Sequence, residues 1–594
     1  MNTEMRIARN SKFICWGMAV SALSILLLPC VASAGTWAAL ANHAPDSVEH
    51  MLLLPDGTVI AANNPSDVSG STGGNWYRLT PDNHGSYVNG TWSTLATMHD
   101  TRLFYSSAVL RDGRLFVAGG EYGSGRGTAE IYDPLANSWT YINPPLSLLN
   151  PSVHSPALLS TGPDGNQGFI DSVCIVVANG NVLVGPVGPN VSGGTLIYNP
   201  VANSWVAGPT TASGYQDEAS WVKLPDNSIL TIDPYGTNTE RYIPASNTWI
   251  SDASVPTSLY DAFGGELGPA FLLPNGKAIF FGSTGHTAIY TPSGTTVAGS
   301  WVVGPDFPNG QGMPDAPGAM MVNGKILLAT SATPTSGTHF PSPVSFYEYD
   351  YSAGPIGSFT QVGSPGGGLT DNISSYQCSM LDLPDGTVLY CHIEQNNLFY
   401  SSFGSQLYVY QPSGSPLAAG KPTISSITAN GNGSYHLTGT KLNGISGGAA
   451  YGDDLQMDSN YPLVRLTDGS GNVTYARTYN WSSTGVQTGG ALVSTEFSAA
   501  NILAGNYSLQ VVANGIASDP AFFNEPVWVD FNYGGFFQFG TYPLPYKTLA
   551  QGVSAVTPGG LIDIKPGNST ETMTITKAMD IHAVGGSVTI GVGH

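Results

Sequence analysis

The stretch SSYQCSMLDLPDGTVLYCH, residues 374–392, contains two short apolar runs separated by Pro384-Asp385-Gly386. Two apolar runs that flank a turn ending in glycine are typical of a β-hairpin. Glycine or asparagine is expected at that position because the backbone there needs a positive φ. The pattern returns about every 50 residues, which indicates a repeat built from short strands. Its turn residues are Gly57, Gly113, Gly180, Asn227, Gly276, Gly324 and Gly386.

Two further strands are predicted in most repeats. A third run often ends in tyrosine before a proline turn, as at Tyr132 and Tyr198, and a tryptophan opens a fourth run, as at Trp139 and Trp205. Four short strands with these landmarks are typical of a kelch-type β-propeller blade. We therefore predict a seven-bladed propeller over residues 35–420, in which the tyrosines and tryptophans pack between blades.

The N-terminal segment after the predicted leader resembles a fourth strand. Residues 35–40, GTWAAL, are similar to residues 90–95, GTWSTL, whereas the last two repeats lack the fourth-strand tryptophan. Pairing the first strand with the last blade would remove two exposed sheet edges. We therefore expect residues 35–40 to complete the seventh blade.

The pattern changes after the repeats, but the prediction stays all-β. Residues 421–524 contain short alternating strands with Asn-Gly and Asp-Gly turns, which predict an immunoglobulin-like β-sandwich. Residues 525–594 contain one predicted short helix, near 546–556, and evenly spaced β runs. These runs resemble the opening coils of a right-handed parallel β-helix, so a short β-helix-like segment is predicted.

The first 34 residues have the pattern of a secretory signal peptide. Basic Arg6, Arg9 and Lys12 precede an apolar run over 13–28, and small residues at 32–34 predict cleavage after Ala34. No later apolar run reaches the roughly 18 residues of a membrane span. We therefore expect an exported protein in the extracellular space, without a transmembrane segment.

The chain is acidic, with a formal net charge of −21. Nucleic-acid binding is not expected, because phosphate recognition needs clustered lysine and arginine. The acidity is open to a second interpretation, namely that it serves solubility alone.

Three cysteines remain once the predicted leader is removed: Cys174, Cys378 and Cys391. Cys378 and Cys391 flank the turn of the hairpin at 374–392, so a cross-strand disulfide is possible in an oxidising compartment. Two buried thiols are the alternative.

A propeller of this kind followed by an immunoglobulin-like domain resembles the galactose oxidase and glyoxal oxidase family over residues 35–520. That resemblance implies copper held by two tyrosines and two histidines, with one tyrosine cross-linked to a cysteine. Tyr376 and Gln377 stand where the family has Tyr-His, and Phe104, with Tyr105 beside it, stands where the radical tyrosine is expected. Residues 47–50 lack the expected cysteine, and the loop at 448–465 lacks the second histidine. We therefore expect no copper-radical centre.

Acidic residues recur near the starts of the first strands, whose preceding loops cluster on one face of a propeller. They are Glu49, Asp100, Asp171, Asp217, Glu218, Glu266, Asp315 and Asp371. If the loop at 448–465 reaches that face, Asp453 and Asp454 join them. Oxygen ligands in this number suit Ca²⁺ or the hydroxyl groups of a sugar, while solvated turns are the plainer interpretation. The predicted ligand-binding residues are Glu49, His50, Asp217, Glu218, Glu266, Asp315, Asp453 and Asp454.

Three functions follow as hypotheses. The first is an exported, non-catalytic protein that recognises a polysaccharide or another cell-surface ligand. The second is a copper-radical oxidase of sugars or aldehydes with a rearranged metal site, and the third is a structural or adhesive extracellular protein.

Overall fold

The structure is a computed structural model that describes residues 34–64, 72–149, 172–185, 193–212, 216, 218–234, 236–393, 405–452 and 456–591. Within these ranges the chain forms 46 strands, one α-helix and a few short 3₁₀ turns. The predicted signal peptide lies outside the described residues, apart from Ala34. None of the helices in the described part of the chain is long and apolar enough to cross a bilayer.

Between residues 36 and 411 the strands form antiparallel units of four, as kelch-type blades do. The N-terminal strand is β1 (Thr36–Ala39). The first unit contains β2 (Val48–Leu53), β3 (Val59–Asn63), β4 (Trp76–Thr80) and β5 (Thr91–Thr94). The second contains β6 (Ser106–Val109), β7 (Leu115–Ala118), β8 (Ala129–Asp133) and β9 (Ser138–Tyr141). The third contains β10 (Val173–Val176), β11 (Val182–Gly185), β12 (Gly194–Asn199) and β13 (Ser204–Thr210).

The later units follow the same order. The fourth contains β14 (Trp221–Lys223), β15 (Ile229–Ile232), β16 (Thr239–Ile243) and β17 (Thr248–Ser251). The fifth contains β18 (Ala270–Leu272), β19 (Ala278–Phe281), β20 (Thr287–Thr291) and β21 (Ser300–Val303). The sixth contains β22 (Gln311–Gly312), β23 (Pro317–Met320), β24 (Ile326–Ala332), β25 (Val344–Asp350), β26 (Ser358–Val362) and β27 (Thr370–Asp371), of which β22 and β27 are short additions. The last contains β28 (Cys378–Asp382), β29 (Val388–His392) and β30 (Tyr408–Gln411).

The hairpin turns have the backbone geometry that the repeat predicts. All seven turn residues have a positive φ, between 66° and 90°, including Asn227, where the other repeats have glycine. The turn of the last unit is closed by hydrogen bonds from Gly386 N to Leu383 O (3.0 Å) and from Leu383 N to Thr387 O (2.9 Å). The repeat therefore sets the register of each central hairpin.

The N-terminal strand completes the last unit, as predicted. β1 pairs antiparallel with β30, with Trp37 opposite Tyr410, so the sheet order is β1-β30-β29-β28. The Trp37 ring lies 4.8 Å from the Tyr410 ring and 5.3 Å from Phe346 of the preceding unit. The first and last strands of the repeat region thus share one sheet.

The repeated tyrosines and tryptophans pack as structural residues, together with an asparagine that the sequence analysis had not singled out. Tyr132 faces Trp139 across neighbouring strands, with ring centroids 5.1 Å apart. The Tyr132 hydroxyl donates to Asn137 Oδ1 (2.9 Å), and Asn137 holds a positive φ of 49°. The Trp139 indole donates to Ala96 O of the first unit (2.9 Å), which ties neighbouring units together. Tyr198-Asn203 and Tyr242-Asn247 repeat the hydroxyl-to-amide contact at 2.9 Å.

The proposed disulfide between Cys378 and Cys391 is wrong, and both side chains are buried free thiols. In the hairpin Cys378 lies opposite His392 whereas Cys391 lies opposite Ser379. An offset of one residue places side chains on opposite faces of a sheet. The thiols instead donate to backbone oxygens, Cys378 to Ser375 O (3.2 Å) and Cys391 to Glu49 O (3.3 Å).

Residues 423–525 form two packed antiparallel sheets, as expected for a β-sandwich. One has the order β31-β32-β38-β37 and the other β36-β35-β39-β40, with β41 also on β39. Side chains from both sheets, including Leu437, Phe497, Leu466 and Leu509, share one buried core. The strands are β31 (Thr423–Ala429), β32 (Ser434–Thr440), β35 (Leu463–Asp468), β36 (Val473–Ala476), β37 (Thr478–Tyr479), β38 (Leu492–Ser498), β39 (Gly505–Ala513), β40 (Ile516–Ala517) and β41 (Ala521–Glu525).

A hairpin from this sandwich region pairs with the sixth unit. It consists of β33 (Gly448–Tyr451) and β34 (Gln456–Asp458). β33 pairs antiparallel with β23, the first strand of that unit, and contacts β28. β34 contacts the first strands β2, β6 and β10 of three other units. Because first strands line the centre of a propeller, the hairpin occupies its central channel.

The C-terminal segment consists of short parallel strands, as in the first coils of a β-helix. Its strands are β42 (Val527–Val529), β43 (Gly560–Ile564), β44 (Gly567–Ser569), β45 (Met579–Ala583) and β46 (Val588–Ile590). The sheet order β42-β43-β45 is parallel throughout, and β44 pairs with β46 in parallel. The predicted helix is α1 (Leu549–Ala555), which begins after a capping box formed by Thr548 and Gln551.

Candidate cation site at the channel mouth

Three of the predicted acidic residues converge. One carboxylate oxygen from each of Glu218, Glu266 and Asp315 lies within 4.8 Å of the other two. Each residue precedes the first strand of its unit, namely β14, β18 and β23. Two unit negative charges at this separation repel by roughly 3 kcal/mol at an effective dielectric constant near 20. An arrangement of this kind is stabilised by a bound cation or by a shared proton.

The backbone at two of these carboxylates is strained, and the backbone at the third is hydrogen-bonded. Glu266 is only 6% exposed, and its backbone carbonyl accepts a hydrogen bond from Ser283 Oγ (2.9 Å). Glu218 and Asp315 have positive φ angles of 59° and 45°, which cost of order 1 kcal/mol for residues other than glycine. Such strain persists only where the surrounding structure fixes the backbone.

The channel hairpin reaches the same place. The Ser220 hydroxyl, two residues after Glu218, donates to Gly452 O at the end of β33. A Cβ atom placed on Gly452 would lie 3.1 Å from Asp315 Oδ1, so the hairpin backbone passes directly beside the carboxylate. Asp453 and Asp454 follow Gly452 in the chain but lie outside the described residues, as does Asp217. Their predicted role stays a prediction.

Other acidic residues of the predicted set have separate partners. Glu49 is buried and accepts from Asn64 Nδ2 (2.6 Å). Asp100 accepts from Ser124 Oγ (2.8 Å) and Thr128 Oγ1 (2.7 Å). Asp371 accepts a hydrogen bond from the Tyr390 hydroxyl (3.0 Å) and contacts His392 Nδ1 (2.5 Å). Asp171 lies outside the described residues. The acidic pattern therefore divides into one three-residue cluster and several local contacts.

His50 belongs to a buried packing cluster of the first two units. Its ring stacks on Tyr105 with centroids 4.5 Å apart and planes 10° apart, and its Nε2 lies 2.8 Å from Ser107 Oγ. Burial lowers the pKa of His50 to about 3, so the imidazole is neutral near pH 7. Phe104, with a positive φ of 50°, stacks at 6.1 Å on Tyr451 of the channel hairpin.

Gln377 is a buried structural residue. Its Oε1 accepts from Ser374 N (3.0 Å) in a capping box at the start of a 3₁₀ turn, and its Nε2 points to the Tyr376 hydroxyl (3.4 Å). The Tyr376 carbonyl in turn accepts from the Tyr451 hydroxyl (3.0 Å). The turn is thereby fixed against the channel hairpin.

These positions do not fit the copper-radical centre that the family resemblance implies. Phe104 has no donor atom, and the Gln377 amide oxygen is used by the Ser374 backbone. The His50 imidazole is stacked on Tyr105 and contacts Ser107 Oγ. The cysteine that would be cross-linked to a tyrosine is expected in the first unit, whereas Cys378 and Cys391 lie in the last unit.

A buried carboxyl group beside the channel hairpin predicts how stability depends on pH. Burial raises the pKa of Asp382 to about 8, with a weak contact from Ser459 Oγ at 3.4 Å. The pKa of Asp382 is therefore higher in the folded chain than in the unfolded chain, where it is near 4. Its contribution to the free energy of unfolding is complete below about pH 4 and is lost as the pH rises towards 8, because ionisation then favours the unfolded chain. Asp382→Asn, which cannot ionise, is expected to raise the free energy of unfolding at pH 8 by about 2–5 kcal/mol relative to the unmodified chain.

Urea unfolding followed by circular dichroism between about pH 5 and 8.5 measures this difference. Asp519→Asn, at an exposed carboxylate, is the control and should follow the unmodified chain. Parallel pH profiles for Asp382→Asn and the unmodified chain would contradict the prediction.

Two residues outside the predicted set position the cluster. Asp261 is buried, and its carboxylate accepts from the backbone N–H groups of Phe263 (2.8 Å), Gly264 (2.7 Å) and Glu266 (3.3 Å). Gln216, two residues before Glu218, accepts from Trp221 Nε1 at the start of β14 (2.8 Å). An aspartate followed by a glycine pair, as in residues 261–265, is a turn signal that could have indicated the first of these roles.

Comparison with known proteins identifies a sequence motif and several solved structures with a similar fold. A model of the kelch motif matches residues 102–146, which contain β6–β9 of the second unit. No curated protein sequence matches the chain. Among solved structures, a fungal alcohol oxidase of the AA5 family in complex with copper is 15% identical, with a TM-score of 0.49, over 83% of this chain and 99% of that one.

Two other structures show weaker similarity. A streptogramin B lyase is 9% identical, with a TM-score of 0.39, over 64% of this chain and 98% of that one. The extracellular domain of a two-component system protein from B. thetaiotaomicron is 10% identical, with a TM-score of 0.39, over 83% of this chain and 58% of that one. The motif match and the four-stranded antiparallel units together identify a kelch-type β-propeller fold.

Proposed function

We propose that this chain is an exported, non-catalytic recognition protein that binds a polysaccharide or another cell-surface ligand through a cation at the channel mouth. The observation that carries the proposal is the convergence of Glu218, Glu266 and Asp315 from the loops of three successive units. The segment that carries Glu218 is hydrogen-bonded to the channel hairpin through Ser220 and Gly452, and Gly452 lies beside Asp315. The cation would be held where a ligand can approach from the face of the propeller.

Ca²⁺ is the cation that this donor set suits best. Ca²⁺ takes six to eight oxygen ligands in flexible geometry, and carboxylates are its usual protein ligands. Three carboxylates leave coordination positions that sugar hydroxyl groups can fill. Asp453 and Asp454 of the hairpin tip would be further ligands under this proposal, as would Asp217 beside Glu218.

The absence of catalysis is supported by the residues at the copper-radical positions. Phe104 and Gln377 replace a tyrosine and a histidine, and both take part in packing or turn formation. Copper analysis with a peroxide-release assay on sugars and aldehydes separates recognition from oxidation. Stoichiometric copper together with peroxide production would overturn the non-catalytic part of the proposal.

Calorimetric titration of the chelator-treated protein with Ca²⁺ tests the cation site. One ion per chain is expected, and Glu266→Gln should weaken its binding at least about tenfold because a buried ligand charge is removed while the side-chain volume is kept. Asp519→Asn, at an exposed carboxylate paired with Lys421, is the matched control and should bind like the unmodified protein. Polysaccharide binding that requires Ca²⁺ and is lost in Glu266→Gln completes the test. Equal Ca²⁺ binding by all three proteins, or none by any, would contradict it.

A further inference from the structure

β45 is the outer strand in the order β42-β43-β45, so one of its edges has no strand partner among the described residues. Parallel coils stack on one another through such edges. Two apolar side chains on the outer strands β45 and β46, Ile581 and Ile590, are 37% and 40% exposed.

Ile581 continues an apolar ladder that is buried in the earlier layers. The register places Val527, Ile562 and Ile581 side by side on β42, β43 and β45. Val527 and Ile562 are 3% and 0% exposed, whereas Ile581 is 37% exposed. An exposed strand edge beside an apolar ladder is a template for pairing with another strand.

The sequence of β45, Met579–Ala583 or MDIHA, is complementary to itself when two copies run antiparallel. With Ile581 at the centre, Asp580 of each copy lies opposite His582 of the other, and Met579 lies opposite Ala583. Opposite charges at facing positions stabilise an antiparallel pair, and like charges destabilise it. Because the axis is two-fold, each favourable contact occurs twice.

The existing ladder already contains the contact that this pairing would repeat. His582 lies beside Asp563 in the β43–β45 register, with its Nδ1 3.6 Å from Asp563 Oδ1. The His582 side chain is 60% exposed, so a neighbouring chain can contact it. In the antiparallel pair, His582 would lie between Asp563 of its own chain and Asp580 of the second copy, so the same contact would occur on both sides of β45.

We propose that β45 pairs antiparallel with β45 of a second copy of this chain, about a two-fold axis at Ile581. The pairing closes the open edge of both coils and covers the exposed ladder. A parallel head-to-tail addition would leave a new open edge on each added copy and would therefore grow without limit.

Sedimentation analysis of the chain without its leader, near pH 6, where histidine is partly protonated, tests this pairing. A monomer–dimer equilibrium is expected. Asp580→His places histidine opposite histidine, and His582→Asp places aspartate opposite aspartate, so each variant should weaken dimerisation about tenfold or more. In an Asp563→Asn background, which removes the carboxylate that lies beside residue 582 in the same chain, the double variant D580H/H582D restores opposite charges across the pair and should restore the dimer.

Asp519→His is the control for a change of charge elsewhere, since Asp519 is exposed in the sandwich region. Circular dichroism of each variant checks that the fold is kept, and recovery in the double variant separates lost pairing from lost folding. A monomer at all concentrations, a dimer indifferent to the single changes, a double variant that stays monomeric, or open-ended growth in mass would each overturn the proposal.

Discussion

Replacing Trp37 with alanine is expected to lower the free energy of unfolding by about 3 kcal/mol, the lower end for large aromatic side chains that lose their packing, because Trp37 is partly buried. Trp37 contacts Phe346, Tyr390 and Tyr410 with ring centroids 4.8–5.5 Å apart. Its indole N–H donates to Gly363 O (2.6 Å), which follows the outer strand of the sixth unit. The change therefore weakens the one unit whose outer strand comes from the other end of the repeat region.

Trp92→Ala is the matched control. Trp92 occupies the same place in β5 of the first unit, and its indole donates to Asn42 O (3.2 Å). That unit is continuous in sequence, so losing its tryptophan leaves the strand held by the β4–β5 connection. Urea unfolding followed by circular dichroism should show the larger loss for Trp37→Ala. An equal or larger loss of unfolding free energy for Trp92→Ala would contradict the prediction that pairing of β1 with the last unit makes Trp37 more important for stability.

The place of β1 was predictable because it rests on local patterns. The resemblance of GTWAAL to GTWSTL identified an outer strand, and the missing tryptophan in the last repeats indicated its partner. Turn residues such as Asn227 were predictable for a similar reason, since a positive φ is a property of a single residue and its immediate neighbours.

The pairing register of individual strands and the convergence of distant side chains were harder to predict. The disulfide failed because an offset of a single residue moves a side chain to the other face, and the spacing of Cys378 and Cys391 about a turn does not reveal that offset. The acidic residues before the first strands look alike in sequence, yet Glu266 joins a cluster whereas Glu49 is bound by Asn64. Their partners come from distant parts of the chain, so only the assembled propeller separates them.

A buried ion pair in the fourth unit, at its contact with the fifth, was not visible in the sequence at all. Arg241 in β16 and Asp252 after β17 look like ordinary charges near a strand end, yet both side chains are 0% exposed. Arg241 Nε lies 2.5 Å from Asp252 Oδ2, and its other nitrogens donate to Thr295 O (3.0 Å) and Val297 O (2.7 Å) of the fifth unit. The pair therefore joins neighbouring units through the β20–β21 connection.

Asp252→Ala is expected to lower the free energy of unfolding by about 3–5 kcal/mol, because a buried arginine loses the nearer of its two carboxylate partners and keeps only Asp226, at 3.8 Å. Asp252 also accepts from the Tyr290 hydroxyl (2.9 Å) and from Gly299 N (2.8 Å), so the change leaves polar groups of the fifth unit without their acceptor. Urea unfolding at neutral pH measures the loss.

The double variant R241M/D252L is the control for this interpretation. Replacing both partners of a buried ion pair by apolar residues of similar volume is often neutral or stabilising, since no uncompensated charge remains. We therefore expect the double variant to be more stable than Asp252→Ala by at least about 2 kcal/mol, even though it carries the larger change in sequence. A double variant as unstable as Asp252→Ala would show that the hydrogen bonds to Tyr290 and Gly299, rather than the counter-charge on Arg241, hold the two units together.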